Sequence, residues 1–126
     1  MKLLGVDYGE RKVGLALAIS ALAEPLTVIH YSEESELISK IKRIVDEEGI
    51  EKIVIGVSEG NSEESARQFG THLASYLQIA IEYEDETLST EDVQRMTLEA
   101  GIKREKRHKF EDAYAATIIL QNYLDR

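Results

Sequence analysis

The chain's 126 residues suit one domain and are too few for two, and 43% hydrophobic with 31% charged residues is the balance of a folded globular protein. The absence of cysteine excludes disulfides and thiolate metal sites, and no apolar run approaches the roughly 18 residues a membrane span needs. A formal charge of −9 argues against a generic nucleic-acid binder, whose phosphate contacts come from a basic surface.

In chain order, Lys2 to Asp7 is an apolar run ending in a carboxylate. A turn at Tyr8-Gly9-Glu10 separates it from the apolar run Val13 to Ile19, which predicts a β-hairpin. A carboxylate as early as Asp7 also interrupts any signal peptide, so a cytoplasmic location is expected. Leu26 to Tyr31 alternates as a third strand, with Pro25 expected just before it at a strand start or edge. Leu37, Ile38, Ile41, Ile44 and Val45 then fall on one helical stripe, closed by Gly49. Lys52 to Val57 is a short β-branched run without polar alternation, which predicts a central strand covered on both faces.

Ser58 to Ser62 suits a turn and helix start, and Ala66, Phe69, Gly70, Leu73, Ala74 and Leu77 make the second helical stripe. Ile79 to Tyr83 is the fifth strand. Ser89-Thr90-Glu91-Asp92 has a capping pattern ahead of a third helix over Val93, Met96 and Ala100. Ala113, Ala116, Thr117, Leu120 and Leu124 mark a carboxyl-terminal one. The order β-β-β-α-β-α-β-α-α predicts an α/β protein with a mixed five-stranded sheet. Its first three strands are antiparallel, parallel strands follow, and helices cover both faces.

In such sheets function gathers at the carboxyl ends of parallel strands. Asp7 ends the first strand, Ser58 and Glu59 follow the fourth, Asp85 and Glu86 follow the fifth, and Asp112 begins the last helix. Each acid has an ordinary alternative. Asp7 with Gly9 equally shapes a turn, Glu111 and Asp112 equally complement a helix dipole, and Glu84 to Glu86 equally form a solvated patch. Together, however, carboxylates brought to one edge repel one another and favour a bound cation, and oxygen ligands without Cys or His select Mg²⁺ or Mn²⁺. Between Lys103 and Lys109, Arg104, Lys106 and Arg107 add to a basic strip in which Glu105 is the one acid; it is either a phosphate grip or a solvated loop. His72 reads as packing or surface, and His108 within the strip as a solvated side chain or a phosphate donor.

Four ordered blocks carry a resemblance to a known family. Gly5-Val6-Asp7-Tyr8-Gly9-Glu10-Arg11-Lys12-Val13-Gly14-Leu15-Ala16 resembles the opening motif of the YqgF (RuvX) family, nucleases of pre-16S rRNA related to Holliday-junction resolvases. Val54-Ile55-Gly56 is similar to the second block and Asp85-Glu86-Thr87-Leu88-Ser89-Thr90 to the third. Asp112-Ala113-Tyr114-Ala115-Ala116-Thr117-Ile118-Ile119-Leu120-Gln121 is similar to the closing block. The match spans essentially the whole chain, so residues 1–126 are expected to form one RNase H-like nuclease domain.

The resemblance implies a phosphodiesterase using Mg²⁺ or Mn²⁺ in two-metal hydrolysis, with Asp7, Glu86 and Asp112 as catalytic metal ligands. Gly9 would let the backbone turn closely beside the site. Arg11 and Lys12 would meet phosphate, with Arg67 and the strip Lys103, Arg104, Lys106, Arg107 and Lys109 gripping the substrate backbone. Two positions depart from the family pattern. Its usual Arg after the Asp-Glu pair is Thr87 here, and its Gly-Leu-Pro after the fourth strand is Gly56-Val57-Ser58-Glu59-Gly60, which makes Glu59 a competing second ligand.

The expected substrate is structured RNA, the pre-16S rRNA 5′ end by resemblance, with branched DNA or a non-catalytic nucleic-acid-binding module as alternatives. A monomer or homodimer acting away from any membrane is expected. An actin-like kinase, which also opens on Asp-x-Gly, needs two such domains, and 126 residues supply one.

Overall fold

A computed structural model of the chain describes residues 1–57, 61–85 and 110–126, with backbone alone at 61 and 62. Five strands form one sheet: β1 (Leu3–Asp7), β2 (Lys12–Ala18), β3 (Ala23–His30), β4 (Lys52–Val57) and β5 (Ala80–Asp85). Three helices are described: α1 (Glu34–Glu48), α2 (Asn61–Leu77) and α3 (Glu111–Asp125). The strands lie in the order β3-β2-β1-β4-β5. β1 pairs antiparallel with β2 and parallel with β4, and β5 continues the parallel set beside β4. The carboxyl ends of β1, β4 and β5 therefore share one edge. The helix expected over Val93 to Ala100 lies outside the described residues.

Strand alternation divides the core into two layers. Leu4, Val6, Val13, Leu15, Ile53 and Ile55 point to one face, where α1 contributes Leu37, Ile38 and Ile41 and α2 contributes Ala66, Phe69 and Leu73. Leu3, Ala16, Ala18, Ala23 and Val54 point to the other, against Ala116, Ile119 and Leu120 of α3. Each fully buried Leu, Ile or Phe contributes about 1.5–3 kcal/mol relative to an exposed one. Covered on both sides, β1 and β4 need the unbroken apolar runs their sequences show.

The α1 stripe ends as expected. Gly49 adopts φ 69° and ψ 42°, a left-handed cap open to glycine at no steric cost. Pro25 lies on an edge strand, one of its two expected placements, but not just before the strand. It lies inside β3, which starts at Ala23, and pairs with Ala16 at a register shift between Leu15 and Ala16. An edge strand with a local bulge tolerates the missing N–H donor. No described helix is long and apolar enough to cross a membrane.

Candidate active site

Strand period and register decide which acids can meet. On β1, Leu4 and Val6 enter the layer under α1 and α2, while Leu3 enters the layer under α3. Period two then carries Asp7, with Leu3 and Gly5, to the α3 face. Asp7 is half-buried there and pairs across the antiparallel ladder with Gly14 of β2.

The first turn of α3 comes down on that pair. A β carbon built on Gly14 would stand 1.9 Å from the Asp112 carbonyl oxygen and 2.7 Å from the Ala113 nitrogen. Only a residue without a side chain lets the helix approach the strand so closely. Asp112 is thereby set on the face that carries Asp7, one strand away. Lys12, two residues before Gly14 and on the same face, places Nζ 3.1 Å from Asp112 Oδ2.

The turn after Asp7 is held from the other layer. Tyr8 stacks on Phe69 of α2, with ring centroids 4.7 Å apart. The Tyr31 hydroxyl donates to the Gly9 carbonyl, and the Tyr31 N–H donates to the Arg11 carbonyl at 3.0 Å. Burial, then the hydrogen bond and charge of Tyr8, push the Tyr31 phenol well above its ordinary pKa. Gly9 itself is tightly placed, since a β carbon there would stand 2.6 Å from the Lys12 carbonyl oxygen.

The other candidates fall in three groups. Arg11 is exposed, in the bend just before β2, while the adjacent Lys12 pairs with Asp112. Arg67 is engaged on the α2 side of the sheet, where it bonds Glu63 at 3.2 Å and lies 4.7 Å from the Tyr83 ring centroid. The structure does not bring it together with Asp7 and Asp112. Glu59, Glu86, Thr87, Lys103, Arg104, Lys106, Arg107, His108 and Lys109 lie outside the described residues. His72 is a surface residue, with Nδ1 3.0 Å from Glu34 of α1.

Asp85 ends β5 at the same edge as Asp7, but on β5 Glu82 and Glu84 take the α3 face. Glu82 bonds Tyr123, and Glu84 bonds Arg126 at 2.7 Å. Asp85 alternates with them to the α2 side.

Three roles escaped the sequence. Tyr31 reads as the end of a strand, Lys12 as a phosphate contact, and Gln121 as the tail of a motif. Gln121 in fact accepts from the Ala23 N–H at 2.8 Å and donates to the Ala21 carbonyl at 3.0 Å, tying α3 to the β2–β3 turn. The glycine two residues beyond Lys12 was the available signal for Lys12, because a Gly inside a strand marks a close approach.

Chemically, Asp7 and Asp112 present oxygen donors from two elements to one edge, a donor set suited to a hard divalent cation. No group of three or more potential ligand side chains gathers among the described residues.

A family model described as RuvX, Holliday junction resolvase, matches residues 1–126. A Clostridium botulinum protein named as a pre-16S rRNA nuclease is 35% identical over 134 residues, covering all of this chain and 98% of its own length. A Dictyoglomus thermophilum protein of the same name is 35% identical over 133 residues, covering 99% of this chain and 96% of its own. Among solved structures, Thermus thermophilus RuvC in complex with a Holliday junction substrate superposes with a TM-score of 0.68 at 15% identity, over 99% of this chain and 95% of that one. Fowlpox virus resolvase with Holliday junction DNA gives 0.64 at 12% identity, over 99% and 97%. At such identities the two structures speak for the fold alone, which is the RNase H-like fold implied by the motifs. On the strength of the full-length family match and these relatives, the chain belongs to the RuvX family.

Proposed function

We propose that the chain is a divalent-cation-dependent phosphodiesterase that cleaves structured RNA, with precursor 16S rRNA as its substrate. The observation that carries this reading is the convergence of Asp7 and Asp112 on one sheet face through Gly14. The name shared by full-length relatives supports the choice of RNA. Residues 1–126 act as a single nuclease domain in this reading.

Asp7 and Asp112 hold the cation, Mg²⁺ or Mn²⁺, and Glu86 completes the set. Two features support Glu86 over its neighbours: its block matches the family's third motif, and alternation turns Asp85 to the α2 side. When bound, such an ion supplies Lewis-acid assistance to phosphodiester hydrolysis. The chain's own residues do the rest. The two aspartates fix their carboxylates from a sheet centre and a helix start, elements too rigid to drift. Tyr31 and Phe69 hold the turn after Asp7. Arg11 and the basic strip from Lys103 to Lys109 bind substrate phosphates.

The test is cleavage of a precursor 16S rRNA fragment and of a four-way DNA junction, at matched salt, with Mg²⁺ or Mn²⁺. Wild type should cut the RNA, and Asp7→Asn and Asp112→Asn should each lose about 100-fold or more, the scale of losing charge stabilisation at a reacting phosphate. Equal cleavage by wild type and Asp7→Asn overturns the reading. Branched DNA is the second reading, favoured by the family's description as a resolvase. Preferential cutting of the junction would establish it instead.

A further inference from the structure

Lys12 stands in an unexpected relation to the acidic site. Its ammonium pairs with a carboxylate of that site while the side chain stays half-exposed. It reaches 3.1 Å from Asp112 Oδ2, with the lysine side chain 55% exposed and the aspartate 28%. The backbone dictates this contact. Gly14 admits the first turn of α3 against β2, and the residue two places earlier on that face faces the same carboxylate. Asp7 and Asp112 share the face, so a positive charge here offsets repulsion between two acids.

We propose that Lys12 is the resident counter-cation of Asp112, that it yields this carboxylate to an incoming divalent ion, and that on release it turns to a phosphate of the substrate. The proposal rests on the metal-dependent reading above and deepens it, because it links cation loading to substrate grip through one side chain. The two cations compete. An ammonium carries three donors and needs the lone pairs that a hard cation also requires, and two positive charges at one carboxylate repel. The exchange favours the dication. A half-exposed lysine pair is worth little, and its flexible four-carbon stem can swing into water at small cost. A lysine that merely pinned α3 to β2 would behave in the opposite way, and its loss would loosen the aspartate and weaken metal binding.

Mn²⁺ binding to the intact chain, measured by calorimetry without any nucleic acid, separates these. Lys12→Met should bind Mn²⁺ about 2- to 5-fold more tightly than wild type, the scale of one partly exposed ion pair. Arg11→Met removes the same charge from the neighbouring residue, in the bend before β2, and should change affinity by less than about twofold in 0.15 M salt, where screening is strong. A second measurement needs no variant. The ¹⁵Nζ resonance of Lys12 in wild type should move to the position and fast proton exchange of a solvated lysine when Mg²⁺ saturates the site.

Unchanged or weaker Mn²⁺ binding by Lys12→Met, an equal gain in Arg11→Met, or a Lys12 signal unmoved by Mg²⁺ would each overturn the proposal. Wild type that binds no Mn²⁺ overturns it together with the metal reading. Mn²⁺ exchange as described without RNA or DNA cleavage overturns the nuclease reading and leaves the exchange standing.

Discussion

Gly14 and Asp112 are in backbone contact: the missing side chain of the first is the space that the carbonyl of the second occupies, 1.9 Å from where a β carbon would stand. The consequence is that a strand-centre glycine, remote in sequence from α3, sets the height of the helix over the sheet. Gly14→Ala should therefore push the helix start away rather than simply fill space. Overpacking of this kind costs typically about 1–3 kcal/mol. Urea unfolding should register that loss, and Mn²⁺ affinity should fall at the same time because Asp112 moves. Wild-type Mn²⁺ affinity in a destabilised Gly14→Ala protein would show that the aspartate's position does not depend on this contact.

Glu86→Gln should abolish RNA cleavage as fully as Asp7→Asn, a drop of about 100-fold or more, while Glu59→Gln leaves it within about twofold of wild type. Single-turnover cleavage with saturating Mn²⁺ makes the comparison. The reverse ranking would make Glu59 rather than Glu86 the second ligand.

Tyr31→Phe removes the hydroxyl that donates to the Gly9 carbonyl while keeping the ring. A net cost of about 0.5–1.5 kcal/mol is expected from one such hydrogen bond. The pH dependence follows from the raised phenol pKa. The folded state favours the neutral phenol more than the unfolded state does, so this contribution is complete below the ordinary tyrosine value of 10.0 and fades as pH rises above it towards the folded value. Wild type and Tyr31→Phe should converge in stability as alkaline pH increases, measured by urea midpoints at successive pH values.

At the opposite end of α3, Tyr123 donates to Glu82, Lys52 Nζ lies 3.3 Å from Glu82, and Arg126 bonds Glu84. The Tyr123 hydrogen bond foremost, then Lys52, holds the Glu82 carboxyl below its ordinary value of 4.5. A depressed carboxylate contributes stability above its unfolded pKa and loses it as pH falls through the folded one. Acidification below the ordinary value should therefore release the end of α3 from β5. Glu82→Gln should flatten that acid limb in tyrosine fluorescence, a readout free of tryptophan because the chain has none.

Ile119 packs its side chain into the space over Gly56, where a β carbon would stand 2.4 Å from Ile119 Cδ1. Ile119→Ala empties a fully buried position and should cost about 2–5 kcal/mol. Thermal unfolding would detect it as a large fall in Tm. A fall in Mn²⁺ affinity beyond that expected from partial unfolding would show that helix seating reaches the aspartates.

The sequence by itself determined the five strands and the three described helices, and it singled out Asp7 and Asp112 as candidates. The apolar runs Leu3 to Val6 and Lys52 to Val57 and the stripes of α1 and α2 are local patterns, and local backbone geometry reads them directly. Four ordered motifs were sufficient to name the family. Tertiary structure decided which side chains meet. Lys12 finds Asp112 100 residues along the chain, Tyr31 finds Gly9, Gln121 finds the β2–β3 turn, and Arg67 is committed to the α2 side. None of these follows from periodicity, because each depends on strand register and on how closely a helix can approach a sheet. At Asp112 that approach is set by one glycine on another element.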